Sequence, residues 1–186
     1  DTVAATISSI SLDSTNSELT IQFSESVSGV GNSQLGIDDF VLSISGGAAT
    51  LNAKDYVAEV TEDQTSWMIK FSTTGTANGS EILTVDLASD SSIVDGFGNF
   101  SVSGQINNTV SLLDKIPPQI TFTATDGTDF IADGSVTNDA TLTLNFTASE
   151  VGTGFESDDI TVTNASITNF TASSDTVYSA LPTPTA

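Results

Sequence analysis

Strict alternation of apolar and polar residues in short runs constrains this chain most. Leu19, Ile21 and Phe23 form one such run, Trp67, Ile69 and Phe71 a second, and Leu83, Val85 and Leu87 a third. A period of two places the apolar side chains on one face of a strand; a helix would need a period near 3.6. The residues between these runs are mostly Ser, Thr, Asn, Asp and Gly, which form turns because their side chains bond the nearby backbone or because Gly accepts positive φ. The sequence therefore predicts strands over about 3–12, 18–24, 39–45, 66–72, 81–87 and 101–112, with a weaker one near 55–61. In the first of these the apolar parity changes at Ser8-Ser9, which predicts a bulge or a switch between sheets. Seven or so short strands punctuated by turns predict an all-β chain built as an antiparallel β-sandwich of immunoglobulin type, without the Cys-Trp-Cys signature of antibody domains.

The pattern occurs twice. "DTVAATI" (1–7) lines up with "DKIPPQI" (114–120), and "IDDFVLSISGG" (37–47) with "SDDITVTNAS" (157–166). Leu142, Leu144 and Phe146 repeat the alternation of Leu19, Ile21 and Phe23. Two tandem modules follow, 1–113 and 114–186, joined at Pro117-Pro118, whose fixed φ makes a short, stiff linker. "TPTA" (183–186) matches "TGTA" (74–77), after which the first module continues with "NGSEILTVDL". The second module is thus expected to stop before its last two strands. With no initiator Met, signal peptide or transmembrane run, the chain reads as a mature product or a fragment of something longer.

Charge narrows the function. There are 24 acidic residues against Lys54, Lys70 and Lys115, no Arg and no His, for a net charge of -21 over 186 residues. Phosphate contacts need Lys and Arg, so nucleic acid is excluded as a partner, and anionic membrane surfaces are disfavoured. The absence of Cys excludes a disulfide framework. Without His, Cys or Arg, serine triads, thiol nucleophiles and the usual zinc sites are out of reach. Paired carboxylates could hydrolyse glycosides, but that chemistry wants an aromatic-lined cleft, and the chain has one Trp and two Tyr. Trp67 fits the apolar face of its strand.

Following strand direction through the first module brings the acidic residues of four chain segments to one pole: Asp1, Glu25, Asp38 with Asp39, and Asp95 with Asn99. The same reasoning puts Asp114, Glu150, Asp158 and Asp159 where the second module begins. Calcium takes six to eight oxygen ligands from carboxylates and carbonyls, so a glycine-rich loop flanked by carboxylates can wrap it. These ten residues are the candidate Ca2+ ligands. The competing reading is that Asp and Asn are simply turn formers, with Asp38 or Asp39 capping a short helical turn. The cluster 125–139, "TDGTDFIADGSVTND", reads as an exposed turn.

The motifs "LTIQFSESV", "IDDFVLSISGG", "NGSEILTVDL", "IVDGFGNFS" and "DKIPPQITFTATDG" resemble the bacterial immunoglobulin-like repeats of giant secreted adhesins and biofilm proteins. The resemblance covers nearly the whole chain. It implies an extracellular, cell-surface location, neighbouring modules of the same chain as partners, and calcium at module junctions that stiffens the rod. It also implies a cell-adhesion context in which other domains meet a surface glycan or protein receptor. A non-enzymatic spacer is the reading that the repeats, the Pro-Pro linker and the acidic junctions share. A segment of a surface layer or extracellular filament is the alternative, and a carbohydrate- or protein-binding module is a further one; Phe97, Phe100, Phe155 and Tyr178 are the aromatics that bear on it.

Overall fold

The computed structural model describes residues 1–185. These divide into two compact units, Asp1–Ile116 and Pro117–Ala186. The division falls three residues beyond the 113/114 boundary expected from the repeat. The Leu113 N–H donates to Asn16 Oδ1 and the Lys115 N–H to the Ala77 carbonyl, so residues 113–115 are held by the first unit.

The first unit contains β1 (Ile7–Leu12), β2 (Glu18–Phe23), β3 (Val27–Gly29), β4 (Phe40–Ser45), β5 (Thr50–Glu59), β6 (Ser66–Thr74), β7 (Ile82–Leu87), β8 (Ile93–Asp95) and β9 (Thr109–Ser111). One sheet has the order β1-β2-β6-β5, a second β4-β7-β9, and β3 pairs with β8 in a small ribbon. Setting the ribbon aside, strands one, two, five and four form one layer and strands three, six and seven the other. That is the order of a seven-stranded immunoglobulin sandwich. The alternating runs explain the closure. Leu19, Ile21 and Phe23 from β2, Trp67, Ile69 and Phe71 from β6, and Leu83, Val85 and Leu87 from β7 lie in one core with Phe40 and Leu42 of β4. Burial of each such side chain contributes roughly 1.5–3 kcal/mol. The parity change is a register shift between Ile7 and Ser9.

Two expectations need correction. The weak strand near 55–61 is the ten-residue β5, which starts at Thr50. The strand expected over 101–112 shrinks to Thr109–Ser111. Its earlier half is instead a loop pinned by side chains. Asp86 accepts the Gly104 N–H, Asp90 accepts the Ser103 N–H, and Gln105 Oε1 accepts the Ile7 N–H at 2.8 Å. A side chain from this loop thus satisfies the first N–H of β1.

The second unit has β10 (Ile120–Thr125), β11 (Phe130–Ile131), β12 (Thr143–Ala148), β13 (Ala165–Ala172) and β14 (Val177–Pro184), all in one sheet of order β11-β10-β12-β14-β13. Here β10-β12-β14-β13 reproduces β1-β2-β6-β5. Among the described residues no second sheet accompanies it. The internal alignment also shifts by two residues. Ile7 pairs with Phe23, whereas Ile120 pairs with Ala148. The counterparts of Leu19, Ile21 and Phe23 are therefore Leu144, Phe146 and Ala148, not Leu142, Leu144 and Phe146. A two-residue slip keeps every side chain on its face, so alternation alone cannot detect it.

Candidate functional site

The pole of the first unit is assembled by three loops. β3 follows Glu25, and its Val27 pairs with Asp95 of β8. β4 begins at Phe40, opposite Leu87 at the end of β7, and the Ala88 N–H donates to the Asp39 carbonyl. Asn99 Nδ2 lies 3.5 Å from the Asp1 carbonyl and donates to Asp95 Oδ2 at 2.7 Å. Strand direction thus brings Asp1, Glu25, Asp38, Asp39, Asp95 and Asn99 to one end.

Three of their carboxylates, those of Asp1, Asp39 and Asp95, are already engaged. Asp95, buried at 2% exposure, accepts the Phe97 and Asn99 N–H groups on Oδ1 at 2.8 and 2.9 Å. The Asn99 side chain, first, and these N–H donors hold its carboxyl below the usual range, against the opposing effect of burial. Asp39 Oδ2 accepts the Gly36 N–H at 2.8 Å and so closes the short 3-10 turn Ile37–Asp39. Lys54 Nζ seals the far end of that turn by donating to the carbonyls of Ile37 and Phe40. Asp1 Oδ1 accepts the Val3 N–H. Glu25 is half-buried and Asp38 exposed. Among the described residues no three acidic side chains are grouped closely enough to hold a metal ion. As placed, Asp1, Asp39 and Asp95 each cap a turn.

Several capping bonds recur further along the chain. Asp114 Oδ1 accepts the Ile116 N–H as Asp1 accepts that of Val3. Asp159 Oδ2 accepts the Glu156 N–H as Asp39 accepts that of Gly36. The Gln119 N–H donates to Ser149 Oγ as the Thr6 N–H does to Ser24 Oγ, both near 3 Å. Tyr178 Oη donates to the Asp175 carbonyl where Trp67 Nε1 donates to that of Gln64. The cluster 125–139 opens on a duplicated turn, in which Asp126 accepts the Thr128 N–H as Asp13 accepts that of Thr15, and its Phe130–Ile131 form β11. Asp158 is exposed. Glu150 is half-buried and lines a cleft of about 220 Å³ with Ile120, Phe155 and Tyr178.

One acidic residue with a clear task was missed. Glu81 is fully buried, and its Oε1 accepts the N–H groups of Ala48 and Ala49 at 2.7 and 2.9 Å, with the Asn78 N–H on Oε2 at 3.0 Å. Burial pushes this carboxyl up, but the backbone donors outweigh it and hold it below the ordinary range. The signal was present: Glu81 sits at the inward parity of Leu83, Val85 and Leu87, where a charge needs a built receptor. "GGAAT" supplies it. Gly47 adopts φ +56, and a Cβ there would lie 2.1 Å from Glu81 Cδ. Of the aromatics considered as binders, Tyr178 is buried and Phe155 packs half-buried against it, while Phe97 is 70% and Phe100 45% exposed.

Two antiparallel layers in the first unit, and the same first layer again in the second, define a protein of tandem immunoglobulin-like sandwich plan. Residues 114–186 match the family model described as Bacterial Ig-like domain. No curated protein and no solved structure matches the chain.

Proposed function

We propose that this chain is a non-catalytic structural segment of a large extracellular bacterial surface protein, with its repeated modules serving as spacers in an adhesin or biofilm protein. Its partners are then neighbouring modules of the same chain. The observation that carries this reading is the duplication of the turn-capping bonds together with the sheet order. What is repeated is the framework, and the acidic residues mostly serve it. The lack of His, Arg and Cys supports a role without catalysis. The test is an antibody raised against residues 1–116, applied to intact cells of the source bacterium. Labelling before permeabilisation is expected; labelling only afterwards contradicts the reading.

A second reading adds a cation at the pole of the first unit. Supporting it are the meeting of Asp1, Asn99 and Asp95, and the fully buried Ser101 two residues on, whose Oγ has no partner. Melting in calcium, in magnesium and in EDTA tests it, since a ligand of the native state alone raises the melting temperature. A calcium-specific rise lost in Asp95→Asn supports this reading. Equal melting in all three leaves the pole as capped turns.

A further inference from the structure

The connection between β6 and β7 is the one place where the sequence sets Asn before Gly: Asn78 precedes Gly79, and no other Asn is followed by Gly. The fold asks for both. Gly79 adopts φ +80, which residues with a Cβ rarely do. Asn78 Oδ1 accepts the Ser80 N–H at 3.0 Å and so caps the turn. The ring that this bond closes contains the Gly79 peptide, so the carboxamide stays folded toward the Gly79 nitrogen. Asn78 and Gly79 are both exposed to water, and among the described residues the Gly79 N–H has no acceptor.

That arrangement is reactive. An amide nitrogen that loses its proton attacks the carboxamide carbon of the residue before it. With no Cβ at 79 the approach is open, and one turn holding both groups makes the step intramolecular. The Ser80 hydrogen bond further polarises the carboxamide. The same turn has two structural tasks. The Asn78 N–H donates to both oxygens of the buried Glu81 carboxylate, at 3.3 and 3.0 Å. One residue back, the Ala77 carbonyl accepts the Lys115 N–H at 2.9 Å, and a Cβ at Gly79 would touch Asp114 Cβ at 3.5 Å. The turn therefore holds Glu81 on one side and residues 114–115 on the other.

We propose that Asn78 is a site of spontaneous deamidation whose product releases this turn. The Gly79 nitrogen, its proton taken by water or hydroxide, bonds to Asn78 Cγ, and the side-chain nitrogen leaves as ammonia. Water then opens the resulting cyclic imide at either carbonyl. Opening at the main-chain carbonyl gives isoaspartate, whose backbone runs through Cβ and Cγ; opening at the side-chain carbonyl gives aspartate. The step is a hydrolysis and needs no oxidant or cofactor. Isoaspartate inserts a methylene between the Asn78 N–H and Gly79, so the bonds to Glu81 and Ser80 can no longer be made together. Either product also places a second carboxylate on the residue whose N–H Glu81 accepts, and a like charge beside a buried carboxylate is unfavourable.

The experiment ages the full chain in mildly alkaline buffer and follows each Asn by peptide mass spectrometry, with a portion held unfolded in urea as reference. In the folded chain, conversion at Asn78 is expected to be about tenfold or more faster than at the exposed Asn32, Asn52 and Asn107, a difference of roughly 1.4 kcal/mol in barrier. Isoaspartate is expected among the products, and the aged chain is expected to melt at lower temperature. Asn78→Ser keeps an acceptor for the Ser80 N–H without a carboxamide, and should age with no such loss. Two results overturn the proposal. One is Asn78 intact in the folded chain while it converts in urea, since the turn would then protect it. The other is full conversion with unchanged melting, since the product would then leave the turn closed.

Discussion

The Glu81 carboxylate accepts the Ala49 N–H at 2.9 Å across 32 residues of chain, with both groups buried. This contact ties the turn between β4 and β5 to the segment that opens β7. Removing the charge while keeping the shape leaves N–H donors weakly satisfied. Glu81→Gln is therefore expected to destabilise the first unit by about 1–3 kcal/mol. Gly47→Ala should act in the same direction, because φ +56 and the contact with Glu81 both oppose a Cβ. Urea unfolding followed by fluorescence of the single Trp67 measures both. Wild-type stability in Glu81→Gln would refute the anchor.

The same carboxylate makes an acid-sensitive contribution. Its folded pKa lies below the ordinary value of 4.5, so the unfolded chain takes up the proton first. The stabilisation is therefore present above about pH 4.5 and is lost as pH falls through the folded value. The gap in melting temperature between wild type and Glu81→Gln should be constant from pH 7 to 5 and narrow below that. Comparing the two chains cancels the relief of repulsion that both undergo near the sequence pI of 4.1. A gap independent of pH down to 3 would show that the anchor does not act through its charge.

Trp67 and Tyr178 occupy equivalent places, each donating to the carbonyl three residues back. Tyr178→Phe removes one bond and little volume, and is expected to cost the second unit about 1 kcal/mol. Trp67→Ala empties a fully buried site, and the expected cost to the first unit is about 3–5 kcal/mol. Calorimetry of each variant reads both values. Equal losses would mean that the two positions are not packed as described.

Much of the first unit was legible because alternation reports burial directly. Leu19, Ile21 and Phe23 are inward because every second residue is apolar, and Trp67 is a core residue for the same reason. The sandwich class followed from the number of short strands and the turns between them, and strand direction gave the pole shared by Asp1, Asp39, Asp95 and Asn99. What alternation could not supply was register and bonding. The two-residue slip between Phe23 and Phe146 preserves parity, and the loop over 101–108 depends on Asp86, Asp90 and Gln105 acting at long range. The acidic residues posed the same problem. A carboxylate that caps a turn and one that ligates calcium occupy the same kind of loop, and the acceptor bonds that make Asp39 and Asp95 turn caps are not written in the sequence pattern.

Hydrogen exchange of the whole chain tests most directly the claim that both units share one plan, with two layers in the first and, among the described residues, one sheet in the second. The account predicts slow amides in Phe40–Ser45 and in β2, β6, β12 and β14, and fast amides across Ile160–Thr163. Protection of Ile160–Thr163 equal to that of Phe40–Ser45 would contradict it.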